Sequence, residues 1–319
     1  QQEHLARAAE IQEVYLENPE DAIRTYREIL DLMPDDLTSL HHLERLYERT
    51  EDWSELIGVL RRRIELTEDT EEQKELHFRI ARLFEESLDN IDEALVVYHT
   101  IQADLGPDRN ATRSLVRLYQ KSERWMDLLD ALELDLALCE DEEERAALLC
   151  RMGNLHRGEL NEPTRAVDRY REVVEIVPSH EEARAALEEL LSLDEVKLEA
   201  AQVLAPLYEA EGSWENLVKV LELQAAEALS PQDSWEKLRE AAEVAEVGLE
   251  DASRSFDLVA RALNDGAGET HAREIVESLE KLANVSGRHG DLIKHYREVV
   301  LDVLDGDLQL DMMLYIAQT

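Results

Sequence analysis

The chain has 319 residues, 44% of them hydrophobic and 34% charged, with only 11 Gly and 7 Pro. That is enough apolar material for a large core and too few loop formers for a strand-rich fold. The 74 acids outnumber the 34 bases to give a net charge of −40, a field that repels nucleic acid and anionic membrane, and no stretch approaches the roughly 18 consecutive apolar residues of a membrane helix.

The chain opens QQEHLARAAE, without Met and already in helical pattern, and closes on DMMLYIAQT in the same pattern. We expect a piece of a longer protein, so the missing secretory signal says little about location. Residues 5–34, LARAAEIQEVYLENPEDAIRTYREILDLMP, place apolar side chains three and four apart on both sides of a short polar turn, which predicts a helical hairpin. Residues 37–66, LTSLHHLERLYERTEDWSELIGVLRRRIEL, predict a second hairpin with Trp53 just after its turn.

These two hairpins then recur. Trp53, Trp125 and Trp214 are separated by 72 and 89 residues, and Leu16, Leu88, Leu160 and Leu249 by 72, 72 and 89. Ala22, Ala94, Ala166 and Ser255 follow the leucines by six, and Tyr26, Tyr98, Tyr170 and Val259 come four later. Pro34, Pro107 and Pro178 close the unit. Unrelated columns that share one 17-residue insertion mark a true internal repeat. Small residues at Ala9, Ala81, Gly153 and Ala242 let two helix backbones approach within the first hairpin. The second carries Leu43, Leu46 and Tyr47, then Leu115, Leu118 and Tyr119, then Leu204, Leu207 and Tyr208. Each tryptophan stands three residues before the first core leucine of the following helix, where its ring covers the turn and wedges against the next hairpin. His289 takes that place in the last cycle.

The insertion itself, ARAALEELLSLD at 183–194, predicts one additional helix, and Pro206 should kink or loosen the helix after it. The expected organisation is five hairpins over 1–182, the inserted helix over 183–194, and three hairpins plus the start of another over 195–319.

On these residues the chain resembles the tetratricopeptide repeat (TPR) family. The first hairpin matches it at Ala81, Ala94, Tyr98 and Pro107, but runs one residue longer between the small residue and the Ala. The second keeps the family spacing from Tyr47 to Leu56, Tyr119 to Leu128 and Tyr208 to Leu217, with Leu where the family prefers Ala. The resemblance implies an all-α, right-handed α-solenoid of about eight hairpins plus the inserted helix. It also implies a concave groove, lined by first helices, that holds peptide segments.

Helical phase then selects groove positions. If Leu43, Ile80, Leu115 and Met152 face the core, the residues two before and two after them face the groove: His41 and Arg45, Phe78 and Arg82, Arg113 and Arg117, Cys150 and Asn154. Arg157 continues the stripe by a turn, as do Arg49 and Lys121. Arginine's planar fork suits carboxylate or phosphate, and Phe78 would add an apolar anchor. The expected partner is therefore an acidic or carboxylate-bearing protein or peptide segment, with His41, Arg45, Phe78, Arg82, Arg113, Arg117, Asn154 and Arg157 as binding residues. The competing reading has these arginines pairing with acids on adjacent helices, in a structural spacer or a regulatory domain of a larger protein.

No P-loop, dinucleotide-binding glycine pattern or zinc-protease helix is present, and the ten histidines lack companions at metal spacing. Cys139 and Cys150 read as buried thiols in a reducing compartment, and Asn110 and Asn284 head glycosylation patterns that nothing else supports. The expectation is no enzyme, cofactor or metal, no nucleic acid, no membrane insertion and a cytoplasmic location. The sequence leaves oligomeric state open.

Overall fold

The computed structural model describes residues 2–14 and 18–318, so the Leu16 position lies outside the described residues. Among them are eighteen α-helices and no strand. Among the described residues no helix is long and apolar enough to cross a membrane. Two compact units divide the chain, residues 1–140 and 141–319.

The first unit comprises four hairpins. These are α1 (Gln2–Val14) with α2 (Pro19–Leu32), α3 (Leu37–Thr50) with α4 (Trp53–Leu66), α5 (Thr70–Arg82) with α6 (Ile91–Asp104), and α7 (Arg109–Lys121) with α8 (Trp125–Ala137). The second unit starts with α9 (Glu142–Arg157) packed on α10 (Pro163–Ile176), followed by α11 (Glu181–Leu190). Then come α12 (Lys197–Glu211) with α13 (Trp214–Ala226), and α14 (Pro231–Glu243) with α15 (Ala252–Gly266). It closes with α16 (Ala272–Ser286), α17 (His289–Val299) and α18 (Gly306–Gln318).

Capping side chains set where most helices begin. Asp36, Asp69, Asp108, Asp141 and Ser230 each accept a hydrogen bond from a backbone N–H in the first turn of the helix they precede. Turns within the second hairpin type share another device. Glu51, Glu123, Gly212 and Gly287 adopt left-handed backbone with φ of 56°, 55°, 69° and 73°. Each stands two residues before Trp53, Trp125, Trp214 or His289. The next N–H, of Asp52, Arg124 or Ser213, reaches back to the carbonyl of Tyr47, Tyr119 or Tyr208 and closes the helix.

The extra residue of the first hairpin type also has a structural explanation. α5 and α14 end in a π-helical turn, Leu83–Ser87 and Val244–Gly248. Leu88, Leu160 and Leu249 donate five residues back, to Leu83, Leu155 and Val244 at 3.0, 3.1 and 3.2 Å. A wide turn absorbs one more residue than an α-turn. The leucine column therefore marks a turn closure rather than the core: Leu88 is exposed, while Leu160 and Leu249 are half-buried.

The core lies on the Ala and Tyr columns. Ala22, Tyr26, Ala94, Tyr98, Ala166, Tyr170, Ser255 and Val259 are all buried. Trp53, Trp125 and Trp214 are half-buried first residues of α4, α8 and α13, whereas Trp235 on α14 is 2% exposed.

The inserted helix begins two residues earlier than its apolar pattern suggests, because His180 accepts from Ala183 N–H as its cap. That cap lies 72 residues after Asp108, so α11 keeps the register of α3 and α7. On its other side Glu188 accepts from the Tyr208 hydroxyl of α12 at 2.8 Å, at the 20-residue separation by which Arg27 meets Tyr47 and His99 meets Tyr119. One short helix thus plays a first-helix part toward α10 and a second-helix part toward α12. α12 continues through Pro206 as a single helix.

Candidate functional site

Burial first decides what the phase-selected residues can do. Glu13, at the end of α1, is only 10% exposed. It accepts from Arg45 on α3 at 2.8 Å and from the Tyr26 hydroxyl at 3.3 Å, with the His42 ring nitrogen 2.8 Å away. His42 also stacks on the Tyr26 ring, centroids 4.7 Å apart. One cycle later the arrangement returns. Glu85, 9% exposed, accepts from Arg117 on α7 at 2.5 Å and from the Tyr98 hydroxyl at 2.8 Å. Phe78 is half-buried with its ring 5.9 Å from that of Tyr98. Burial, and secondarily the Glu85 carboxylate, push the Tyr98 hydroxyl up to about 12.

In the second unit the charges are exchanged. Arg157 on α9 donates to Glu189 on α11 at 2.6 Å, over the same 32-residue separation that joins Glu13 to Arg45 and Glu85 to Arg117. Asn154 donates to Glu182 at 2.8 Å while its side-chain oxygen accepts from Tyr170 at 2.7 Å. Buried Cys150 has its thiol pushed up to about 12, mainly by burial.

The phase argument therefore names residues in two separate settings. Arg45 and Arg117 are exposed guanidiniums that neutralise buried carboxylates, and Arg157 is half-buried against Glu189. His41 is exposed. Arg113 is exposed and already has a polar or charged neighbour. Arg82, at the last position of α5, is exposed and has no side-chain hydrogen bond or ion pair among the described residues.

Sequence reasoning missed a buried acid that ties three helices of the first unit together. Glu44 on α3 is buried, yet it accepts from Arg63 on α4 at 2.7 Å and from Arg79 on α5. Arg63 also holds Glu72 at 2.8 Å, and Arg79 reaches Glu48 at 3.2 Å. Burial alone would raise the Glu44 carboxyl, but the two guanidiniums hold it below the usual carboxylate range. The signal was available: Leu40, Leu43, Glu44 and Tyr47 share one helical stripe, and a charge inside such a stripe needs partners. Among the described residues no group of three or more His, Cys, Asp or Glu is placed to hold a metal, and Cys139 and Cys150 are buried and not joined in a disulfide.

Residues 39–74, which span α3, α4 and the start of α5, match the tetratricopeptide repeat family model. Over this stretch the chain matches the TPR family, and its described helices form an all-α array of repeated hairpins. No curated protein matches the chain. Among solved structures, the TPR domain of P58(IPK) is 12% identical at a TM-score of 0.30, over 99% of this chain and 96% of that one. A tetratricopeptide repeat protein from Parabacteroides merdae is 11% identical at 0.27, covering 99% and 98%. The TPR2AB domain of yeast Sti1 in complex with pHSP90 is 13% identical at 0.29, covering 76% and 96%.

Proposed function

We propose that the chain is a non-catalytic interaction scaffold whose first unit binds an acidic or carboxylate-bearing peptide segment along the exposed faces of α3, α5 and α7. The carrying observation is Arg82, an exposed guanidinium without a partner, one helical turn from Phe78. Arg117 adds to it. A guanidinium has five N–H donors, and one is spent on Glu85 while 57% of the side chain stays exposed. Arg45, which meets Glu13 and the His42 ring, also keeps 63% of its side chain exposed. A carboxylate from a partner could take the remaining donors without displacing the buried glutamate. A cytoplasmic location fits two buried cysteines that are not joined in a disulfide.

The competing reading, a structural spacer or regulatory repeat domain, draws on the same ion pairs, since Arg45, Arg117 and Arg157 already have counter-ions. Arg82 separates the two. Reversing Arg117 would strip buried Glu85 of its counter-charge and confuse binding with stability, whereas Arg82→Glu disturbs no pair. A fluorescein-labelled Glu-rich dodecapeptide with a free carboxylate should bind by anisotropy, weaken as salt rises, and lose at least ~10-fold in affinity with Arg82→Glu, since a charge-assisted hydrogen bond is worth ~1.5–3 kcal/mol. Equal affinity for the variant, or no binding of the acidic peptide at all, would favour the spacer.

A further inference from the structure

A second binding surface of opposite chemistry lies in the second unit. Between α12, α13 and the end of α14 is a cavity of about 480 Å³, within the range that ligand pockets occupy. Its apolar wall is Trp214, Leu217, Val244 and Val247. Two features of the fold open it. The π-helical turn at Val244–Gly248 widens the end of α14, and Gly248 adds no side chain there. A Cβ at Gly248 would stand 2.7 Å from the Trp214 ring, so only glycine lets that indole lie flat against the turn. Val247, on the same turn, is 74% exposed, an apolar side chain that nothing in this unit covers.

The rim is acidic. Glu209, Glu240 and Glu243 line the cavity and are exposed. Glu240 is partly answered by Lys237 at 2.7 Å, while Glu209 and Glu243 have no side-chain hydrogen bond or ion pair among the described residues. An aromatic face, an aliphatic floor and unanswered carboxylates at the mouth suit one kind of side chain. It has an apolar stem and a delocalised cation, and it can stack on an indole while its fork meets carboxylate oxygens.

We propose that this cleft receives an arginine side chain presented by a partner protein, with its stem on Val247 and its guanidinium over Trp214 between Glu209 and Glu243. The site is separate from the acidic-peptide surface of the first unit, and either stands if the other fails. Being cationic, its ligand also gains from the field of a chain that carries −40.

That same field would attract arginine anywhere on the surface, so the test must be local. The four indole N–H signals of protein labelled with 15N-tryptophan, with Trp214 assigned through Trp214→Phe, would be followed on adding N-acetyl-arginine amide. The neutral isostere N-acetyl-citrulline amide is the parallel probe. The Trp214 signal should shift saturably while Trp53 and Trp125 stay still. Citrulline should bind at least ~10-fold more weakly, and Glu209→Gln with Glu243→Gln should cost a similar factor, as expected for loss of charge-assisted contacts. Both carboxylates are exposed, so the double variant should keep the wild-type melting temperature. No shift at Trp214, equal shifts at Trp53, Trp125 and Trp214, equal binding of citrulline, or indifference to the double substitution would each overturn the proposal.

Discussion

At the scale of single residues, stability rests on a few positions where burial leaves no slack. Glu44 holds Arg63 and Arg79, so α3, α4 and α5 meet at one carboxylate. In the folded chain the Glu44 carboxyl titrates below the ordinary glutamate value of about 4.5, so the unfolded chain takes up a proton first as the solution is acidified. The stabilisation is therefore fully present above pH 4.5 and lost as pH falls through the folded value. Glu44→Gln should cost ~1.5–3 kcal/mol in urea denaturation at pH 7, and the gap to wild type should close at acid pH. A gap that stays constant to pH 3 would remove the charge from the explanation. Gly153 acts through space instead. A Cβ there would lie 2.6 Å from the Tyr170 ring, which is fully buried. Ala is worth ~1 kcal/mol over Gly in an open helix, but overpacking costs ~1–3 kcal/mol, so Gly153→Ala should lower the melting temperature. In a Tyr170→Leu background the same change should become neutral or favourable. The small-residue column was legible from spacing alone; Glu44 was legible only as a charge inside an apolar stripe, and its partners Arg63 and Arg79, on two other helices, were not.

At the scale of elements, the hairpins were legible because apolar periodicity, caps and the repeat itself all point the same way. The turns were not. Glu51 and Glu123 occupy left-handed backbone that Gly212 and Gly287 fill in later cycles, and Glu carries no turn signal. The π-helical turns left only an unexplained one-residue excess. The tryptophan column divides its roles differently from the sequence pattern. Trp53, Trp125 and Trp214 start helices and are half-buried, while Trp235, outside the column, is a buried anchor. Trp235→Ala should therefore cost ~3–5 kcal/mol, and Trp125→Ala less than about 2 kcal/mol. Parallel denaturant melts compare them directly, and equal losses would mean that the Trp125 ring is packed as tightly as Trp235.

For the molecule as a whole, two electrostatic effects oppose each other, and magnitudes decide between them. Exposed ion pairs such as Arg124 with Asp92 and Arg273 with Asp305 contribute between ~0 and 1 kcal/mol each and weaken as salt rises. Against them stands the excess of acids, 74 to 34, which leaves most carboxylates with no base to answer them. Their mutual repulsion acts over a Debye length of ~30 Å at 0.01 M salt but only ~3 Å at 1 M. The repulsion is summed over the chain while each pair is local, so screening should relieve more energy than it removes. The melting temperature should rise by several degrees between 0.01 and 0.5 M NaCl, with most of the gain below ~0.15 M, where the Debye length shrinks fastest. Chloride is the right anion for the measurement, because sulfate would strengthen apolar burial by a separate route. A melting temperature that falls with NaCl would mean that the 32-residue ion-pair columns, rather than net charge, dominate the electrostatics of this fold.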